Sequence, residues 1–183
     1  MRVSILGPTN LVKFASILQV PQKEIEQKGQ EIGKALADGK HQVRVVFNYA
    51  GMLKLIGDSC QKQGGQVEML YTTNDYDWDT KGYLPFLKEA QKTTESPSWH
   101  DMLLSLVRET DVVLCAGLSA GVFAELAYMK WDHQESKGHV KALLGIKELL
   151  RGGRFPPEMS KDLAGLIRIV PCAKLKAALD ALR

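Results

Sequence analysis

A chain of 183 residues, 45% hydrophobic and 25% charged, is long enough for one sizeable core, so a single globular domain over residues 1–183 is expected. The net charge is only +3 and the basic residues form no tract, which argues against nucleic acid or an anionic membrane as a partner. No run approaches the ~20 apolar residues of a membrane span, and Val3 to Leu6 is too short for the apolar core of a signal peptide.

In chain order, Val3 to Leu6 reads as a buried strand closed by the turn Gly7-Pro8-Thr9-Asn10. Pro21 and Gln22 open a helix that runs to Asp38, with Ile25, Gly29, Ile32, Ala35 and Leu36 as its apolar stripe and Gly39 as its stop. Val43 to Phe47 is a second strand. Gly51 to Gln63 is a helix stopped by Gly64-Gly65, and Val67 to Tyr71 is a third strand. Thr72 to Ser98 is irregular and holds Trp78. It reads as a long binding or lid loop with one short helix near Tyr83 to Gln91. Helical spacing returns over Trp99 to Glu109, and a fourth strand follows at Val112 to Cys115. A helix from Val122 to Trp131, a fifth strand at Val140 to Ile146, a loop over Arg151 to Pro157, a sixth strand at Ile167 to Val170 and a closing helix from Ala173 to Leu182 complete the pattern.

Strands alternating with helices, and strands apolar nearly throughout, predict an α/β fold. It is a Rossmann-like, doubly wound, mainly parallel sheet of about six strands with helices on both faces. Such sheets bind ligands outside the carboxyl ends of their strands, near the point where strand order reverses. The turns after the first, second and fourth strands are therefore the candidate site. They offer Gly7, Thr9 and Asn10, then Asn48, Tyr49 and Gly51, then Gly117, Ser119, Ala120, Gly121 and Val122. A small-residue turn that feeds a helix is a ready anion site, because the first helical N–H groups point into it and the helix dipole favours negative charge. Asn48 and Tyr49 would read a base or ribose, while Trp78 and Trp99 would stack on a base or anchor the loop. Ser119 as a helix N-cap, and Thr9 and Asn10 as turn formers, are the structural alternatives. Arg151 and Arg154, in a Gly-rich loop, either reach a phosphate or are simply solvated. Cys60, Cys115 and Cys172 are far apart and no Cys/His group has metal-site spacing. Neither a metal nor a cofactor is expected, and reduced thiols suit the cytoplasm.

Gly117-Leu118-Ser119-Ala120-Gly121 also matches the GxSxG of a serine hydrolase elbow. Asp132 and His139 supply the required order of partners, but no strand separates them and no HGGG-type segment precedes them. NAD binding is disfavoured, since no GxGxxG follows the first strand and no acidic residue ends the second.

Three stretches carry a family resemblance. Gly51-Met52-Leu53 looks like a Gly-Leu-Met element, followed by Asp58 and then Gly64-Gly65 with Val67. Thr110-Asp111 precedes the fourth strand, and Gly117 to Glu125 resembles Pro-Gly-Gly-x-Gly-Thr-x-x-Glu, with Gly121 and Glu125 on its last Gly and its Glu. On these motifs the chain, over roughly Arg2 to Ile146, resembles the Rossmann-like "lysine decarboxylase-like" proteins, the superfamily of the LONELY GUY cytokinin-activating phosphoribohydrolases. The resemblance implies a cytoplasmic homodimer that binds a nucleoside 5′-monophosphate and hydrolyses its N-glycosidic bond, with Glu125 at the oxocarbenium-like transition state. The departures are specific. Asn48-Tyr49-Ala50 stands for Gly-Gly-Gly, Val122 for Thr, and Ala116-Gly117-Leu118-Ser119 for Pro-Gly-Gly with one extra residue. The family's Arg-Lys pair falls near Met102-Leu103. Arg108, or His100 with Asp101, is then the available substitute beside Glu125. The leading expectation is a divergent member that binds a nucleotide or related phosphorylated small molecule, with weak phosphoribohydrolase activity at most. An active phosphoribohydrolase is the alternative.

Overall fold

The computed structural model describes residues 1–74, 82–135 and 139–183. Its strands are β1 (Arg2–Leu6), β2 (Gln42–Val46), β3 (Gln66–Tyr71), β4 (Lys92–Glu95), β5 (Val112–Cys115), β6 (Ala142–Ile146) and β7 (Ile167–Val170). The α-helices are α1 (Leu11–Leu18), α2 (Gln22–Asp38), α3 (Gly51–Lys62), α4 (Trp99–Arg108), α5 (Ala120–Gln134), α6 (Pro157–Asp162) and α7 (Leu175–Asp180). All neighbouring strands pair in parallel, in the order β4-β3-β2-β1-β5-β6-β7. Helix α2 packs on both α3 and α7, and α4 packs on α5. This is the expected Rossmann-like architecture.

Strand order reverses between β1 and β5, where Leu6 lies level with Cys115. Both strands are buried at nearly every position, as a sheet covered on two sides requires. Exposed polar strands are confined to the edges. β4 reads Lys-Thr-Thr-Glu and shields its open side with charge.

The sheet has a seventh strand that its sequence does not advertise. β4 lies inside the stretch read as one long loop, and the short helix expected near Tyr83 to Gln91 is a 3₁₀ helix at Leu84–Glu89. An alternating Lys-Thr-Thr-Glu run carries no apolar signal, and its pairing with β3 is held from across the sheet. Arg44, Glu68 and Lys92 sit at matching positions of β2, β3 and β4. Glu68 Oε2 lies 3.3 Å from Arg44 Nε and Glu68 Oε1 lies 2.8 Å from Lys92 Nζ, while Thr94 Oγ1 donates to Glu68 at 2.6 Å. Arg44 Nη1 donates to the carbonyls of Ser105 and Glu109 on the α4 side, at 3.0 and 2.8 Å. A buried cation is tolerated only with partners of this kind.

Helix α1 was also unexpected. Asn10 accepts from the Lys13 N–H at 2.9 Å and caps it. Leu11, Phe14, Ala15 and Leu18 then recur at helical spacing, a short signal hidden behind a turn-forming run.

Candidate functional site

The three glycine-bearing turns named from the sequence meet in one place. The Met52 N–H donates to the Pro8 carbonyl at 3.0 Å, which ties the turn after β2 to the turn after β1. The Ala116 N–H donates to the Leu6 carbonyl at 2.7 Å, and a Cβ on Gly7 would lie 2.9 Å from Met52 Cβ and 3.7 Å from Ala116 Cβ. Gly51 has φ +54°, and a side chain there would meet the Pro8 and Thr9 carbonyl oxygens at 2.5 Å. Both the left-handed backbone and the close approach demand glycine. Gly117, at φ +122°, has the ring of Phe14 only 2.3 Å from where its Cβ would be. Helix α1 is thereby seated against the turn after β5.

That turn leads into α5. Ser119 has extended backbone and its Oγ accepts from the Val122 N–H at 3.4 Å, while its carbonyl accepts from Phe123 at 3.0 Å. The Ala120 and Gly121 N–H groups keep no acceptor among the described residues. Both residues are exposed, and a Cβ on Gly121 would touch nothing nearer than Ser119 Oγ at 3.9 Å. The end of α5 is an open pair of amide donors with the positive end of the helix dipole behind it.

Glu125, about one turn further along, is 8% exposed, with no ion pair or hydrogen bond among the described residues. Burial pushes its carboxyl up to about 8. Near neutral pH it is mostly uncharged, so it does not repel an anion held by the α5 amides. Burial, helped by Glu125, pushes the neighbouring Cys115 thiol up to about 12. Such a thiol is inert as a nucleophile.

Other residues fall differently. Thr9 is exposed at the rim, and the Asn10 side chain is spent as a cap. Val122 is buried in the first turn of α5. Asn48 stays at the end of β2 with its Oδ1 buried and unpartnered among the described residues. Tyr49, expected to read a base, is fully buried instead, and its hydroxyl donates to Asp58 Oδ1 at 3.1 Å on α3. An apolar ring at the mouth of a strand was drawn into the core beneath Gly57. Arg108 is not beside Glu125. Its Nε lies 2.6 Å from Asp132 Oδ1, two helical turns or roughly 10 Å further along α5. The same bond removes Asp132 from any catalytic triad, since roughly 20 Å of helix separate it from Ser119. His139 is exposed, and the Ser119 hydroxyl is a cap. His100 is exposed on the first turn of α4. Trp99 packs against Phe47 at 5.7 Å between ring centroids, and Tyr71 and Tyr83 complete the cluster. Trp78 lies outside the described residues.

Phe14 was missed as a site element. The signal was present: Asn10 as a cap, with Leu11, Phe14 and Leu18 on one face. The orphaned Asn48 oxygen leaves no trace in the sequence.

Among the described residues no cluster of His, Cys, Asp or Glu could hold a metal ion, and no helix is long and apolar enough to cross a membrane. No family model matches the chain, and no curated protein sequence matches it. Solved structures do. The molybdenum cofactor carrier protein of Chlamydomonas reinhardtii superimposes with a TM-score of 0.67 at 15% identity, over 99% of this chain and 96% of that one. The molybdenum cofactor binding protein of Rippkaea orientalis gives 0.67 at 11% identity, over the same shares of both chains. At such identities the likeness establishes the fold, which this chain shares along nearly its whole length with proteins named for holding a small molecule.

Proposed function

We propose that this protein is a binding or carrier protein for a phosphorylated heterocyclic small molecule, held at the carboxyl end of the sheet between β1 and β5. The observation that carries the reading is the exposed, acceptor-free amide pair of Ala120 and Gly121, set where three turns converge at the reversal of strand order. The molybdenum cofactor, a phosphorylated pterin, is the ligand that the comparisons favour. A nucleotide offers the same pairing of a flat heterocycle with a phosphate. The role is to hold rather than to react. Glu125 has no cationic partner among the described residues, Arg108 is bound to Asp132, and a neutral carboxyl is a poor stabiliser of a developing oxocarbenium ion. On this reading the chain is a divergent, cytoplasmic relative of the LONELY GUY-like proteins that kept the anion cradle. It works as a homodimer through the outer side of α5, where Phe123 is 40% and Trp131 60% exposed. Trp131→Asp would then halve the mass seen by sedimentation.

Thermal unfolding should be followed with the extracted molybdenum cofactor, under anaerobic conditions, and with nucleoside 5′-monophosphates. Ligand at ~100 times Kd should add about 2.7 kcal/mol of stability, a shift of several degrees that Gly121→Gln abolishes. No shift with any of these compounds overturns the reading. The phosphoribohydrolase alternative rests on Glu125 alone. Release of free base from a monophosphate, lost in Glu125→Ala, would establish it. We expect none.

A further inference from the structure

We infer that Glu125 couples anion binding at the first turn of α5 to a proton, so that the site holds an anion while this side chain is neutral and releases it when the side chain ionises. The inference rests on the proposed cradle of Ala120 and Gly121. It gives a task to a buried acid that the carrier reading leaves unused.

Geometry is the first argument. Gly121 and Glu125 are four residues apart on α5 and so share one face of the helix. A helical side chain leans back towards the N-terminus, which directs the Glu125 carboxyl at the turn that carries the two free amides. Gly121 puts no side chain between them, and the space beside its Cα is open as far as Ser119 Oγ, 3.9 Å from where a Cβ would be. Below the turn, the charge of Glu125 is felt by the Cys115 thiol, which donates to the Gly117 carbonyl at 3.4 Å. Positions four apart on one helix face lie about 5–6 Å from each other. An anion on the Gly121 amide is therefore within strong electrostatic reach of this carboxyl.

Isolation is the second argument. Glu125 is 8% exposed and has neither a hydrogen bond nor an ion pair among the described residues. The other buried acidic residues are treated differently. Glu68 is held by Arg44, Lys92 and Thr94, and Asp132 by Arg108. The charged groups on the elements around Glu125 are engaged or turned outward. On α4, Arg108 is bound to Asp132, while His100, Asp101 and Glu109 are exposed. On α5 itself, Lys130 is bound to Asp162 of α6 at 2.8 Å, and His133 is exposed at the far end. Lys13 of α1 is exposed, and the Cys115 thiol of β5 is uncharged. Burial alone therefore sets the Glu125 carboxyl at about 8. A buried acid without a partner weakens the fold, and an apolar residue would pack better in its place. Its position one turn from open anion donors is accounted for by a ligand. While neutral, the carboxyl leaves the positive end of α5 free to attract an anion. Once ionised, it opposes the same field and repels the anion. By linkage, a bound anion raises the carboxyl further, so above pH 8 the site takes up a proton together with its ligand.

The test titrates the full-length protein with sulfate, an anion whose charge is constant over the range used, by calorimetry at fixed ionic strength between pH 7 and pH 9.5. The wild type should lose roughly tenfold or more in affinity across that span. At pH 8.5, binding measured in two buffers of different ionisation heat should show the uptake of most of one proton. Glu125→Gln keeps the shape and cannot ionise. It should bind sulfate about equally at both ends of the range, within roughly twofold, and take up almost no proton. Every other titrating group is present in both proteins, so the difference between them reads Glu125 alone. Wild-type affinity that is equal at pH 7 and pH 9.5, or a Gln variant that weakens in step with the wild type, sinks this inference and leaves the cradle standing. A wild type that binds no sulfate at pH 7, or binding that Gly121→Gln leaves intact, removes the cradle and this inference with it.

Discussion

Glu125 gives the site its pH signature. In an unfolded chain its carboxyl titrates near 4.5, whereas in the folded protein burial holds it at about 8. Between these values the folded state keeps a proton that the unfolded state has released. Stability therefore falls as pH rises through the window, and the loss is complete above pH 8. Glu125→Gln keeps the shape and removes the titration. At pH 5 the variant and the wild type should melt within a degree or two of each other. At pH 8.5 the variant should melt higher, by about 2–4 °C for each kcal/mol recovered, as read by calorimetry. A wild type that gains on the variant as pH rises would mean that a cation lies beside Glu125. The residue was singled out by its spacing from Gly121. Its state of charge depends on how deeply α5 is buried, which spacing does not encode.

At the scale of elements, β4 shows why some of the sheet escaped notice. Helices α2, α3 and α4, and the apolar strands, follow from periodicity because one face or both meet the core. β4 has no buried face, and it is held by hydrogen bonds to β3 and by the charged row Arg44–Glu68–Lys92. Glu68→Ala should cost up to about 3–5 kcal/mol, because it leaves the buried Arg44 guanidinium with only the half-exposed Glu109 carboxylate, at 3.6 Å, to balance its charge among the described residues. The double change Glu68→Leu with Arg44→Met should recover most of that loss in urea unfolding. Equal stability of the single variant and the wild type would show that Arg44 is satisfied by the Ser105 and Glu109 carbonyls and the Glu109 carboxylate.

For the molecule as a whole, two buried groups set the limits of stability from opposite sides. His41 is 1% exposed with both ring nitrogens unpartnered among the described residues, and burial pushes it down from 6.5 to about 4. Below pH 6.5 the unfolded chain takes up a proton that the folded protein refuses, so stability drops towards pH 4 by up to about 3 kcal/mol. Together with Glu125 this places the optimum between about pH 4.5 and 6.5, and urea titrations across pH 4 to 9 should find it there. His41→Leu should flatten the acid limb and leave the alkaline limb alone. The same division separates what could be read in advance from what could not. Most of the order of strands and helices, with β4, α1 and α6 as the exceptions, and the glycines of the three turns were legible in the amino-acid sequence, because apolar period and backbone freedom are local properties. Which side chains face one another was not. Tyr49 went into the core, Arg108 went to Asp132, and the row from Arg44 to Lys92 formed across strands far apart in the chain. Ion pairs and desolvation are decided by neighbours brought together by packing, so only the tertiary structure could settle them.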